Sequence, residues 1–182
     1  MKAAELETDN ALLRLVEPSA ERDASLSVQW LTGELGHTTL LLMGNSAEAV
    51  REMLPTSLEK ETKRIEDFLE RRDQLNWMIE HEGKVVGSVW VDLEDSEELP
   101  SPSVHIMIGD PAMRGKGIGH STIKAVLNHL EGEGHGIIYT RHTTSNERAD
   151  ELLKSSGFED LGSPYTKDGV EYQNLVLHTN TK

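Results

Sequence analysis

The stretch best equipped for chemistry is Arg114-Gly115-Lys116-Gly117-Ile118-Gly119-His120. It lies between an apolar, strand-like segment, Val104–Ile108, and a run whose apolar residues, Ile118, Ile123, Val126, Leu127 and Leu130, recur at helical spacing. Glycines at 115, 117 and 119 remove side chains where a ligand could approach the backbone closely. The first turn of the following helix leaves its N–H groups without intrahelical partners, and the helix dipole favours an anion there. Together these predict a site for a phosphate-sized anion. Charge placement agrees: residues 111–130 contain no Asp or Glu, although the mean density of acids would put about three or four in such a window. Arg114 and Lys116 sit at the end of a helix that otherwise prefers acids. A docked pyrophosphate resolves that conflict; the alternative is an ordinary glycine-rich loop with solvated basic residues.

Two other phosphate-loop patterns fail on spacing. A P-loop needs four residues between its first Gly and Gly-Lys-Ser/Thr, whereas five separate Gly109 from Gly115, and Gly117 takes the place of the magnesium-binding hydroxyl. In a dinucleotide fingerprint counted from Gly115 and Gly117 the last glycine would be His120, and the acidic ribose ligand would fall near His135. The chain has no cysteine, which excludes disulfides, a thiolate zinc site and a cysteine nucleophile. No metal site is expected either. His37, His81, His129, His135, His142 and His178 are scattered, and the five acids from Asp92 to Glu98 lack the calcium-loop pattern. A formal charge of −14 argues against a nucleic-acid partner. An acidic surface suits cationic small molecules or basic peptide ends, or solubility alone.

The elements that must position the loop are read from periodicity and caps. Leu12–Val16 reads as a first strand, followed by a helix from Ser19 or Ala20 to Leu31 that Gly33 stops. His37–Asn45 is ambiguous between helix and strand. Ser46–Leu54 reads as a short helix closed by Pro55. Ser57 caps a longer one over Leu58–Arg72, with Leu58, Ile65, Phe68 and Leu69 as its apolar stripe. Trp77–His81 and Val85–Leu93 flank a turn at Glu82-Gly83, a hairpin pattern, and Asp92–Glu98 reads as a solvated loop. After the glycine-loop helix, which Gly132 and Gly134 stop, Ile137–Arg141 is a strand. Asn146 opens a helix with Ala149, Leu152 and Leu153 inward, and a terminal hairpin turns at Asp168-Gly169. Trp30, Trp77 and Trp90 are expected in the core. The longest apolar run, Leu40–Met43, is too short to span a membrane, and the first ten residues have no signal-peptide core. A cytoplasmic protein is the expectation.

Arg114-x-x-Gly117-x-Gly119 after a strand resembles the Gln/Arg-x-x-Gly-x-Gly/Ala signature of the GNAT superfamily of N-acetyltransferases. The longer run from Ile106-Met107-Ile108-Gly109-Asp110-Pro111 is similar to the branch containing ribosomal-protein N-terminal and spermidine acetyltransferases. A second match lies downstream, where Asn146, Ala149, Leu152, Lys154 and Gly157-Phe158 resemble that branch's Asn-x-x-Ala…Lys-x-x-Gly-Phe helix. The clear resemblance covers Trp77–Phe158; the first third, which in this family shapes the acceptor site, is only loosely similar. It implies an α/β fold, one GNAT-like domain over residues 1–182 with a terminal hairpin at 158–178. Its mixed, mostly antiparallel sheet would have six to seven strands, splayed between the fourth and fifth (Val104–Ile108 and Ile137–Arg141), with about four helices.

The resemblance also implies a ligand and a reaction. Acetyl-CoA, the acetyl donor, would lay its pantetheine arm in the gap and pair with backbone near Ile106, Met107 and Ile108. Its pyrophosphate would rest at Arg114, Gly115, Lys116, Gly117, Ile118, Gly119 and His120. Asn146 is carried over as a pantetheine or substrate contact, a role compatible with simple helix capping. The acetyl group would pass directly to a primary amine of a small cationic molecule or a protein N-terminus. The alternative is an acyl-CoA sensor without turnover. Some family members place a glutamate base and a tyrosine acid where this chain has Arg141 and Leu153, so both roles are vacant. His105 is the best remaining base by position and by the range in which imidazole titrates. Asp92 and Glu80 are weaker candidates, and Tyr165 or Tyr172 could donate a proton. Polyamine, aminoglycoside and ribosomal-protein tail all remain open as acceptors, no membrane partner is expected, and a homodimer is the commonest assembly.

Overall fold

In a computed structural model that describes residues 3–179, three serines set the helical N-terminal third. Ser19, Ser46 and Ser57 each accept a hydrogen bond from a first-turn amide, capping α1 (Ala20–Leu31), α3 (Ala47–Glu52) and α4 (Leu58–Glu70). Between them lies α2 (Gly33–Leu42). Two strands precede this region, β1 (Leu6–Glu7) and β2 (Leu13–Val16). After it, β3 (Gln74–His81) and β4 (Lys84–Asp92) turn at Glu82-Gly83, both at positive φ (50° and 75°), as a two-residue hairpin of right-handed twist requires. Then come β5 (Ser103–Ile108), a 3₁₀ turn at Pro111–Met113, α5 (Ile118–Gly132), β6 (Ile137–Thr143), α6 (Glu147–Ser155), β7 (Glu159–Lys167) and β8 (Val170–His178).

The strands form one sheet in the order β1-β2-β3-β4-β5-β6-β8-β7. Every pair is antiparallel except β5–β6. One face of the sheet carries Leu15, Trp77, Ile79, Val89, Val91 and Val104, all fully buried under Ile118, Ile123, Val126 and Leu130 of α5. Each such Leu, Ile or Val contributes about 1.5–3 kcal/mol by leaving water. The other face packs Val16, Met78, Val85 and Met107 against Trp30 of α1. The sheet opens at β5–β6, the strands expected as fourth and fifth. These two pair at Ser103 and Tyr139 alone and separate beyond that point.

Among the described residues there are eight strands and six α-helices, where six to seven strands and about four helices were expected. The additional strand, β1, is two residues long and exists through its pairing with β2, which no periodicity announces. The ambiguous stretch 37–45 falls mostly in α2, which buries only Gly36 and Thr39 and leaves Leu35, Leu41 and Leu42 exposed, so its sequence has no amphipathic stripe. Gly33 ends α1 at φ 68° and at once begins α2. In α4 the expected stripe is half right. Ile65 is buried, but Leu58 is exposed, and Glu61 takes the inward place because Arg64 and Thr56 satisfy its carboxylate. No described helix is long and apolar enough to cross a membrane.

Candidate functional site

A groove of about 1400 Å³ runs from the glycine loop through the gap between β5 and β6 to α2 and the loop joining β4 to β5. At its first end Gly117 is the N-cap of α5, in the left-handed region at φ 78°, and no side chain caps the helix. Ser121 donates to the Gly117 carbonyl, while the amides of Gly115 through His120 donate to no acceptor among the described residues. A Cβ added at Gly115 or Gly117 would meet nothing within 4 Å, so the approach to these amides is open. Six consecutive donors at a helix start fit a pyrophosphate in number and polarity.

Gly119 is different from what the glycine spacing suggested. A Cβ there would stand 3.1 Å from Leu152 Cδ2, so this glycine serves the packing of α5 on α6. Ile118 buries its side chain in the core and offers only its amide. His120 lines the groove, whereas Lys116 is exposed beside it. Arg114 is turned inward. Its Nε donates to the Ile108 carbonyl at 2.9 Å and its Nη2 to Thr39 Oγ1 of α2 at 3.1 Å, tying the loop to the N-terminal helices. Burial, and then the positive charge of Arg148, push the Arg114 guanidinium below its usual value. Arg148, exposed in the first turn of α6 and facing the groove, is a residue that the sequence reading missed. The rule that flagged Arg114 and Lys116, a cation at a helix start, would have found it.

Deeper in, hydrogen bonding along β5 alternates. The Val104 carbonyl accepts from Thr140 Oγ1 at 2.7 Å, and the Ile108 carbonyl from Arg114, so even-numbered residues turn their backbone groups toward the gap. Ile106 therefore presents an N–H and a C=O there, while Met107 turns its own toward β4. Asn146 Oδ1 accepts from the Ala149 amide at 3.2 Å, so it caps α6, and its Nδ2 donates to no group among the described residues. Asn146→Asp keeps a good cap and removes that donor. Thermal denaturation should be nearly unchanged in this variant, and acetyl-CoA affinity measured by calorimetry should fall several-fold. Undiminished affinity assigns Asn146 to capping alone.

At the far end, His105 stacks on its cross-strand neighbour Trp90, with ring centroids 5.4 Å apart. Its Nε2 stands 3.2 Å from Asp92 Oδ2 and 3.2 Å from Ser103 Oγ. With Nε2–H directed to Asp92, the lone pair lies on Nδ1. Burial alone would raise the Asp92 carboxyl; hydrogen bonds from His105 and from Gln74 Nε2 (2.5 Å) outweigh it and hold it below the usual value. Asp92 is thus the end of β4 and a partner of His105, not part of a solvated loop. Glu80 is paired with Arg14 and does not line the groove. Leu153 is buried in the core. Tyr172 donates to the Gly44 carbonyl at 2.5 Å, and Tyr165 accepts from Arg141 Nη1 at 3.1 Å. Among the described residues no group of three or more His, Asp or Glu is arranged to hold a metal ion.

The fold, the opened sheet and the glycine-loop helix are those of an acyl-transferring domain, and the chain belongs to the acetyltransferase (GNAT) family, whose profile matches residues 46–158. The N-alpha-acetyltransferase RimI of Mycobacterium tuberculosis is 36% identical over 59 residues, 32% of this chain and 35% of that protein. The chain spans between 16% and 43% of the length of the curated relatives it matches. Among solved structures, RimL, a ribosomal L7/L12 alpha-N-protein acetyltransferase in complex with coenzyme A, superposes with a TM-score of 0.76 at 13% identity, covering 97% of this chain and 100% of that one. The microcin C7 self-immunity acetyltransferase MccE, in complex with acetyl-CoA and AMP, does so with a TM-score of 0.73 at 14% identity, covering 93% and 94%. At these identities the likeness is one of fold.

Proposed function

We propose that this chain is an acetyl-CoA-dependent N-acetyltransferase that moves the acetyl group directly onto a primary amine. The observation that carries this reading is the run of six unpartnered amides, Gly115 to His120, at a helix start that opens into the parted sheet. Those amides, with Arg148 and Lys116 beside them, hold the pyrophosphate. The Ile106 C=O pairs with the pantetheine arm, and its N–H polarises the thioester carbonyl. A well-aimed donor of that kind is worth about 3–4 kcal/mol. As the amine nitrogen bonds to the carbonyl carbon and the carbon–sulfur bond breaks, His105, oriented through Nε2 by Asp92, takes the amine's proton at Nδ1, and coenzyme A leaves as the thiolate and is protonated by water. No covalent enzyme intermediate is needed, which suits a chain without cysteine.

Two measurements test the reading. Coenzyme A should raise the melting temperature while ATP and NAD at equal concentration do not. Thiol release from acetyl-CoA should then depend on an added amine. Binding without amine-dependent release would instead make the chain an acyl-CoA sensor, a reading that the His105–Asp92 pair in the groove speaks against.

A further inference from the structure

The way Arg141 is held points to the acceptor. Four other arginines each grip a carboxylate: Arg14 with Glu80, Arg22 with Asp23, Arg64 with Glu61 and Arg71 with Asp73. Arg141 has no acid partner among the described residues. Its guanidinium lies 4.8 Å over the Tyr172 ring and donates to the Tyr165 hydroxyl. Both contacts fix its plane, and the carboxylate that feels its charge, Glu98, does so from beyond contact distance and is itself engaged by Lys167.

The acids of the same groove are the reverse case. Asp73 is held by Arg71, Asp92 by His105 and Gln74, Asp95 by the amide and hydroxyl of Ser101, and Glu98 by Lys167. Glu94 is exposed and acts on Arg71 through its charge, and Glu147 and Glu151 are exposed on the α6 side of the groove. The acidic composition of the chain therefore says little about this end of the groove, where Arg141 has no carboxylate in contact among the described residues.

Register places that cation opposite the base. From the Ser103–Tyr139 pair, two residues along each parallel strand lead to His105 and to Arg141, at one level on the two sides of the gap. Both side chains emerge on the face covered by α1 and α2. His105 stacks on Trp90, which packs against the cluster that contains Trp30 and Met107, and Arg141 rests on Tyr172, whose hydroxyl reaches Gly44 after α2.

We infer that the acceptor is a small amine that also carries an oxyanion, a carboxylate or a phosphate, with the amine at His105 and the oxyanion bidentate on Arg141. This rests on the acetyltransferase reading and narrows it, setting a polyamine aside. A panel of matched pairs tests it: amino acids against their amides, and phosphoethanolamine against ethanolamine, with spermidine as the polycation. The full chain should acetylate the anionic member of at least one pair with a kcat/KM about ten- to a hundredfold above its neutral mate. The carboxylate and phosphate arms tell which oxyanion is preferred. Arg141→Gln should bring that ratio close to one while leaving the KM for acetyl-CoA unchanged, and Arg141→Lys should keep part of it. No turnover of any anionic amine overturns the inference, whatever spermidine does, and so does equal turnover of both members of every pair. An Arg141→Gln variant that loses both members alike overturns it too. If coenzyme A fails to bind at all, the acetyltransferase reading falls first, an outcome visible before any acceptor is added.

Discussion

Gly117→Glu is expected to raise the acetyl-CoA dissociation constant by about two orders of magnitude or more while the protein still folds. Gly117 is the left-handed N-cap of α5, and any other residue there costs about 1–2 kcal/mol of backbone strain. That lowers the melting temperature without threatening the fold, because the space around the site is open and the core lies below at Ile118. The effect on binding is larger. A carboxylate at this point faces the diphosphate and can itself accept the amides meant for it, and hydrogen bonds to a charged group are worth about 1.5–3 kcal/mol each. Gly117→Asn separates the two contributions. Asn tolerates the left-handed region better than most residues and brings no charge, so it should share much of the loss in melting temperature with a much smaller loss of affinity. Calorimetric titration with coenzyme A reads both variants. An affinity for Gly117→Glu equal to that of the unaltered chain would remove the pyrophosphate from this loop and leave the six amides without a ligand.

What the sequence disclosed of this site follows the range of the interactions that build it. The glycine-loop helix, its stops at Gly132 and Gly134, the Asn146 cap and the hairpin turns at Glu82-Gly83 and Asp168-Gly169 depend on neighbours a few residues away, and all were legible. The pairing of His105 with Asp92 was not, although both residues stood out singly. It depends on the register that sets Trp90 against His105 and Asp92 against Ser103. The second role of Gly119 was hidden for the same reason, since Leu152 of another helix packs where a side chain would stand. Helix α2 was obscure because its inward residues are Gly36 and Thr39, so no apolar spacing marks the side that faces Arg114. Glu61 in place of Leu58 on α4 is a case of charge pairing overriding hydropathy, which a binary pattern cannot express.

His105→Ala should lower kcat/KM about a hundred- to a thousandfold and flatten the pH–rate profile near neutrality, with the acetyl-CoA dissociation constant unchanged. The ring is fixed by Trp90 on one side and Asp92 at Nε2, so Nδ1 is the nitrogen left to take the proton. Asp92→Asn tests the orienting half of the pair, and it has a second readout in stability. The Asp92 carboxyl is held below its usual value, so in the folded state it keeps its charge to lower pH than in the unfolded chain. Its contribution to stability is therefore present above the unfolded value of about 4 and is lost as pH falls through the folded value. The melting temperatures of the unaltered chain and Asp92→Asn should accordingly differ most at neutral pH and converge in acid. A stabilising role alone predicts that convergence with kcat/KM untouched; an orienting role adds a fall in kcat at constant KM for acetyl-CoA. A profile in His105→Ala that matches the unaltered chain would retire this histidine as the base and return the proton to water held in the groove.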